Sequence, residues 1–255
     1  MKHSTSARSP LSPTLWPPDA FRWWLSIPFA VALLGVLVVT AAGAAAFLIV
    51  FGIAHLSDLR NPTTLTLPLL LSQLAGYATG LAVLLLALPA IARRPLSALG
   101  LRRPRWSDLG WGIAGAGAMI LAAMAAGALQ ESVVHVKADE VQVQWLRLAR
   151  GPMIAGFVFL ACVAAPFFEE LAFRGFVFNA MLRYLPVPLA TLGSAVLFGL
   201  AHMQAGNAGA ILPLTAAGIV LTVVYYRTGS LVASMLTHAI FNLFTVVLVI
   251  AFHQT

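Results

Sequence analysis

Cysteine, acidic side chains and charge of any sign are all scarce in this chain. It has one cysteine, Cys162, eight acidic residues and a charged share of 9% over 255 residues. A lone thiol inside an apolar stretch closes no intramolecular disulfide, so the fold owes nothing to oxidation and core packing is the role left to Cys162. So low a charged share, against about 25% in soluble domains, excludes a water-soluble globule. What fills the chain instead is hydrocarbon: 60% of residues are hydrophobic and the mean hydropathy is +0.92. The composition specifies an all-α polytopic transmembrane helical bundle. At about 20 residues per crossing, some six to eight helices nearly exhaust the length and leave no separate soluble domain.

The formal net charge of +7 does not mark a nucleic-acid binder. Arg93, Arg94, Arg102, Arg103 and Arg105 crowd one short loop between apolar blocks, which is a topology signal, and the expected partner is the lipid bilayer. Residues 1–24 are Ser/Pro-rich and read as a disordered cytoplasmic tail ending in an interfacial anchor at Phe21, Arg22, Trp23 and Trp24. Apolar runs follow at 25–54, 67–92, 108–129, 152–184, 187–203, 209–226 and 230–252, giving seven spans, or eight if residues 130–150 also insert. Gly76 and Gly80 form a Gly-x-x-x-Gly step that predicts close helix contact. Residues 130–150 are mixed in charge, with Val141, Trp145 and Leu148 at helical spacing, as expected of an amphipathic segment at the interface that can cover an active site. Pro166 interrupts the pattern at 152–184, and Tyr225 and Tyr226 beside Arg227 read as an interfacial belt. Residues 25–149 thus form an N-terminal membrane unit with an interfacial segment, and residues 150–255 a second unit.

Only two of the acidic residues, Glu169 and Glu170, lie deep inside an apolar block, and Arg174 follows one turn beyond the second. A charge near the bilayer centre is disfavoured by about 2.5–3.5 kcal/mol, so such residues are functional candidates by default. His202, His238 and Asn242 share this placement. Counted from the helix ends near Arg183, Val187 and Gly229, Glu169 lies roughly 21 Å deep, His202 roughly 23 Å, His238 roughly 14 Å and Asn242 roughly 20 Å. Three helices therefore deliver polar groups to one layer. Glu170 and Arg174 stand i, i+4 and satisfy one another, whereas Glu169 points about 100° away and is the freer base. His238 and Asn242, also i, i+4, present an imidazole and a carboxamide on one face, a pair able to donate hydrogen bonds to a developing oxyanion. A single buried histidine or asparagine is ordinarily interhelical glue. Their convergence with a carboxylate argues for chemistry.

Glu-Glu-x-x-x-Arg (Glu169, Glu170, Arg174), Phe-x-x-x-His (Phe198, His202) and His-x-x-x-Asn (His238, Asn242), in this order on successive apolar helices, resemble the CAAX-type and bacteriocin-processing intramembrane proteases. The resemblance covers roughly residues 150–250 and makes this unit the expected catalytic core. It implies an endopeptidase in which Glu169 and His202 activate a water while His238 and Asn242 stabilise the oxyanion. Glu170 and Arg174 then give support, and Phe198 shapes the pocket by packing. It also implies a membrane-associated peptide or protein substrate, prenylated at a CAAX end or bacteriocin-like, in a bacterial inner membrane. Carboxylate plus imidazole supplies the base, the oxyanion donor and the proton donor that amide hydrolysis needs. No cofactor is required on this reading. The family name leans toward a metal, and Glu169, His202 and His238 number the three ligands a catalytic zinc would take, although the chain has no His-Glu-x-x-His. A proton-coupled transporter would also bury such residues, as would a membrane scaffold without catalysis.

The arginine bias sets an orientation: the tail with Lys2, Arg8 and Arg22 and the five-arginine loop are cytoplasmic, and seven crossings return Arg183 and Arg227 to that side and leave the C-terminus outside. Tags placed after Arg94 and after Arg183 are accordingly expected to be cytoplasmic, and a tag after Thr255 extracytoplasmic. Protease protection of sealed vesicles checks this. A C-terminal tag on the side of the arginine loop would change the helix count by one.

Overall fold

The computed structural model describes residues 67–92, 95–136, 141–202 and 209–253. The tail at 1–24 and the predicted span at 25–54 lie outside the described residues, as do Arg93 and Arg94. All regular structure among the described residues is helical. We label the helices α1 (Leu67–Ala92), α2 (Trp106–Val134), α3 (Val141–Leu148), α4 (Pro152–Met181), α5 (Val187–Ala201), α6 (Ile211–Thr228) and α7 (Leu231–His253). Five of them, α1, α2, α4, α6 and α7, contain stretches long and apolar enough to cross a membrane. Together they make an all-α polytopic bundle. The exception among the apolar helices is α5. Its 15 residues span about 22 Å, short of a hydrocarbon core of about 30 Å, and the helix ends at its cap residue His202.

Helix α4 runs through Pro166 without a break. Instead its ladder widens into π-helix at Leu160–Ala164, returns to α-helix at Ala165–Glu170 and widens again at Leu171–Phe178. Proline donates no N–H and its ring crowds the carbonyl one turn back, so a wider turn ahead of Pro166 accommodates both defects. The expected interruption is therefore a change of pitch. At the end of the second widened segment Asn179 Nδ2 donates to the carbonyls of Arg174 at 2.7 Å and Gly175 at 3.2 Å and reaches the Tyr225 hydroxyl at 2.9 Å. Tyr225 in turn donates to the carbonyl of Leu99 at 3.0 Å. Tyr225 is thus fully buried rather than part of an interfacial belt, because a phenol with two partners in reach is better satisfied inside.

The short 3₁₀ turn Leu96–Leu99 ends at Gly100, whose φ of +88° suits glycine alone. A Cβ there would lie 2.4 Å from the Gly229 carbonyl oxygen, and Leu231 N–H donates to Gly100 O at 3.1 Å, so this turn is locked onto the α6–α7 connection. Beside it, Arg102 grips Asp108 with two bonds of 2.8 and 2.9 Å, and Asp108 caps α2 by accepting the Arg105 N–H at 2.7 Å. One of the loop's arginines is therefore a structural clamp as well as a topology signal.

Helix α3 lies against the bundle with Trp145, Leu146 and the following Ala149 buried among Leu70, Phe157, Val246 and Val249. Leu148 is exposed, and the face that packs on the bundle carries Leu146 and Ala149. Gly76 is buried, and nothing among the described residues comes within 4 Å of a Cβ built there. Close helix contact among the described residues occurs at other glycines. Gly112 and Gly115 admit Leu236 and Thr237 of α7 to α2, and Gly199 brings α5 against Thr215 and the Ile211 carbonyl of α6.

A methyl at Gly199 would sit 2.4 Å from Thr215 Oγ1 and 2.6 Å from the Ile211 carbonyl oxygen. Gly199→Ala is expected to cost about 1–3 kcal/mol, seen as earlier thermal unfolding of the purified protein, whereas Gly117→Ala, at an exposed position of α2 with nothing within 4 Å, should stay within about 0.5 kcal/mol.

Candidate active site

The two adjacent glutamates face different surroundings because one step along α4 turns the side chain by about 100°. Glu170 is fully buried. Its Oε1 lies 3.0 Å from Arg174 Nη1 and 3.0 Å from His238 Nδ1, and its Oε2 accepts from Ser234 Oγ at 2.5 Å. Arg174, one turn on, is equally buried. Its Nη2 donates to the Gly218 carbonyl at 2.9 Å, and its guanidinium stands 4.7 Å above the Phe198 ring. One ion pair thereby joins α4, α5, α6 and α7.

Glu169 faces the other way, toward α1. The Tyr77 hydroxyl donates to its Oε1 at 2.9 Å. Its Oε2 has no hydrogen-bond partner among the described residues, yet stands 3.7 Å from His202 Nε2 and 3.9 Å from His238 Nε2. These spacings are too long for direct hydrogen bonds and suit a water held between the groups.

The orientation of both imidazoles follows from their other nitrogens. His202 Nδ1 lies 2.8 Å from the Phe198 carbonyl, which only accepts, so Nδ1 carries a proton. The cap position at the end of α5 makes that bond local, one turn back along the helix. His238 Nδ1 likewise meets a carboxylate oxygen of Glu170. Each Nε2 is left for the cavity, and the Phe198 ring packs 4.7 Å from one imidazole and 5.9 Å from the other.

Glu169, His202, His238 and Asn242 line one cavity. Its remaining walls are largely apolar and include Trp145 and Leu146 of α3, Phe157 and Leu160 of α4 and Val246 of α7, with Gln73, Tyr77 and Thr245 among the polar exceptions. Asn242 Nδ2 donates to the Ala161 carbonyl at 2.6 Å, within the first widened turn of α4. That bond takes one of two amide protons and fixes the side chain against the cavity wall.

Two partners in this arrangement were not nominated from the sequence. Ser234 stands four residues before His238, so its place on the same helical face was available as a signal. Tyr77 gave a weaker one, a single phenol in an apolar span far along the chain from Glu169. No group of three or more histidine, cysteine, aspartate or glutamate side chains among the described residues is arranged to hold a metal ion.

A family model described as Type II CAAX prenyl endopeptidase Rce1-like matches residues 151–244. Neither a curated protein nor a solved structure matches the chain. The matched segment runs from the start of α4 into α7 and carries all three motifs; α1 and α3 lie outside it.

Glu170→Gln and Arg174→Leu each strand a buried charge, and losing one partner of such a pair typically costs about 3–5 kcal/mol. Both variants are expected to give less folded protein and lower melting temperatures in detergent than Glu169→Gln. Equal yields with unaltered melting would show that the pair is not structural.

Proposed function

With residues 151–244 matching the CAAX endopeptidases, and the three motifs resembling the same family, we propose that the chain is an intramembrane endopeptidase in which Glu169 and His202 activate a water directly. The observation that carries this reading is the buried Oε2 of Glu169, without a hydrogen-bond partner among the described residues and set between two imidazole nitrogens in a cavity within the bundle. A water held there gives a proton to Glu169 as its oxygen attacks the scissile carbonyl carbon, with His202 Nε2 accepting its second hydrogen bond. The carbonyl oxygen gains negative charge and accepts hydrogen bonds from Asn242 Nδ2 and from Nε2–H of a doubly protonated His238, whose Nδ1–H stays hydrogen-bonded to the Glu170 carboxylate. When the tetrahedral intermediate collapses, the proton held by Glu169 passes to the leaving amine as the C–N bond breaks. No step passes through a metal.

The apolar walls favour a membrane-associated peptide, and the match to a CAAX prenyl endopeptidase family makes a prenylated CAAX end the first substrate class to test. The same reading keeps the N-terminal tail cytoplasmic and the C-terminus outside.

The test uses full-length protein in liposomes with fluorogenic peptides ending in a CAAX sequence, farnesylated or unmodified. Wild-type protein is expected to cleave the farnesylated peptide and to retain activity after exhaustive chelation. Glu169→Gln should insert and fold yet lose cleavage by a factor of at least about 100, the scale of a lost general base. Wild-type-like turnover by that variant would remove Glu169 from the chemistry. Loss on chelation with recovery on one equivalent of zinc would make Glu169, His202 and His238 ligands instead.

A further inference from the structure

Resting on the hydrolytic reading of Glu169, we infer that Tyr77 is a positioning residue, holding the carboxylate so that Oε2 alone is presented to the water. A glutamate has two chemically equal oxygens and a freely turning terminal torsion, so its use as a base at a fixed place requires something to tell them apart. Tyr77 does so by donating to Oε1 at 2.9 Å. Its own direction is set. The ring meets Phe168 edge-on, with centroids 5.4 Å apart and planes at 83°, and it is packed between two apolar clusters of the bundle. No other hydrogen bond to the Glu169 carboxylate is found among the described residues, so without the phenol a buried acid would have neither oxygen satisfied by the protein.

The contact also gives α1 a function. It joins residues 92 apart in sequence and comes from a helix outside the segment that matches the endopeptidase family. On the same face, Gln73 stands one turn before Tyr77 and lines the same cavity. Helix α1 is therefore a wall of the site that reaches the base itself, and the matched segment alone lacks the donor that orders its own glutamate.

A purely structural hydroxyl would affect melting rather than turnover, and Tyr77→Phe separates the two because it keeps the ring and its contact with Phe168. In full-length protein reconstituted in liposomes, the carboxylate stretch of Glu169, identified as the infrared band lost in Glu169→Gln, is expected to shift in Tyr77→Phe. Turnover of the farnesylated peptide should fall about tenfold or more with KM unchanged, the scale expected when a catalytic group loses its alignment. Tyr77→Phe in the Glu169→Gln background should lower activity no further. An unmoved band, or wild-type kcat in Tyr77→Phe while Glu169→Gln is inactive, would overturn the role of Tyr77 and leave the hydrolytic reading intact. Wild-type turnover by Glu169→Gln would instead overturn that reading, and this inference with it. Should Tyr77→Phe fail to fold, 3-fluorotyrosine at position 77 keeps ring and hydroxyl while altering donor strength, and the same band must then move.

Discussion

The bundle is organised around one buried charge, the carboxylate of Glu170. It collects Arg174 from its own helix, Ser234 and His238 from α7 and, through Arg174, the Gly218 carbonyl of α6. In an interior of low dielectric an unpaired carboxylate is expensive, and so is an unpaired guanidinium, which makes the pair far costlier to break than to keep. The geometry of the cavity follows from this anchoring. With Glu170 fixed, the next residue back along α4 must face α1, and the imidazole that Glu170 holds by Nδ1 must turn Nε2 toward it. One adjacent pair of acids thus divides into an anchor and a group left open to the cavity by the pitch of the helix alone.

The parts of the fold that were legible in the sequence are those coded by local pattern. The predicted span at 67–92 coincides with α1, and the run at 230–252 differs from α7 by one residue at each end, because apolar length is a signal that needs no tertiary information. The convergence of Glu169, His202, His238 and Asn242 on one cavity followed from depth counted along straight helices. What was not legible depends on contacts distant in sequence. Tyr225 was read from its neighbour Arg227 as an interfacial residue, but its partners are Leu99 and Asn179. Spacing in α3 singled out Val141, Trp145 and Leu148, and the neighbouring helices take Trp145 together with Leu146 and Ala149, which the spacing did not single out. Tyr77 escaped notice because nothing local to it predicts an acid on another helix.

The two widened segments of α4 show how a helix serves both packing and chemistry. A π-turn weakens the regular ladder and so carries a cost, which is why such turns are rare and concentrate at functional sites. Here they flank the glutamate pair on both sides. The first provides the Ala161 carbonyl that holds Asn242, and the second ends where Asn179 gathers two backbone carbonyls with its side chain. Side-chain amides thus take up backbone groups that the irregular ladder makes available, and in hydrocarbon every such group needs a partner.

The shortness of α5 has a geometric consequence. Because the helix begins beside Pro186 and stops at His202, the number of residues between them is a ruler that fixes how far from one membrane surface the imidazole stands. Each inserted residue would move that ring by about 1.5 Å and swing it by about 100°, so a single insertion spoils its aim even where the change in height is small. Only steps close to a whole turn, near 5.4 Å, restore the facing. Changes in the length of α5 are therefore limited to coarse increments, and the height of the ring in the bilayer is set in discrete notches rather than adjusted continuously.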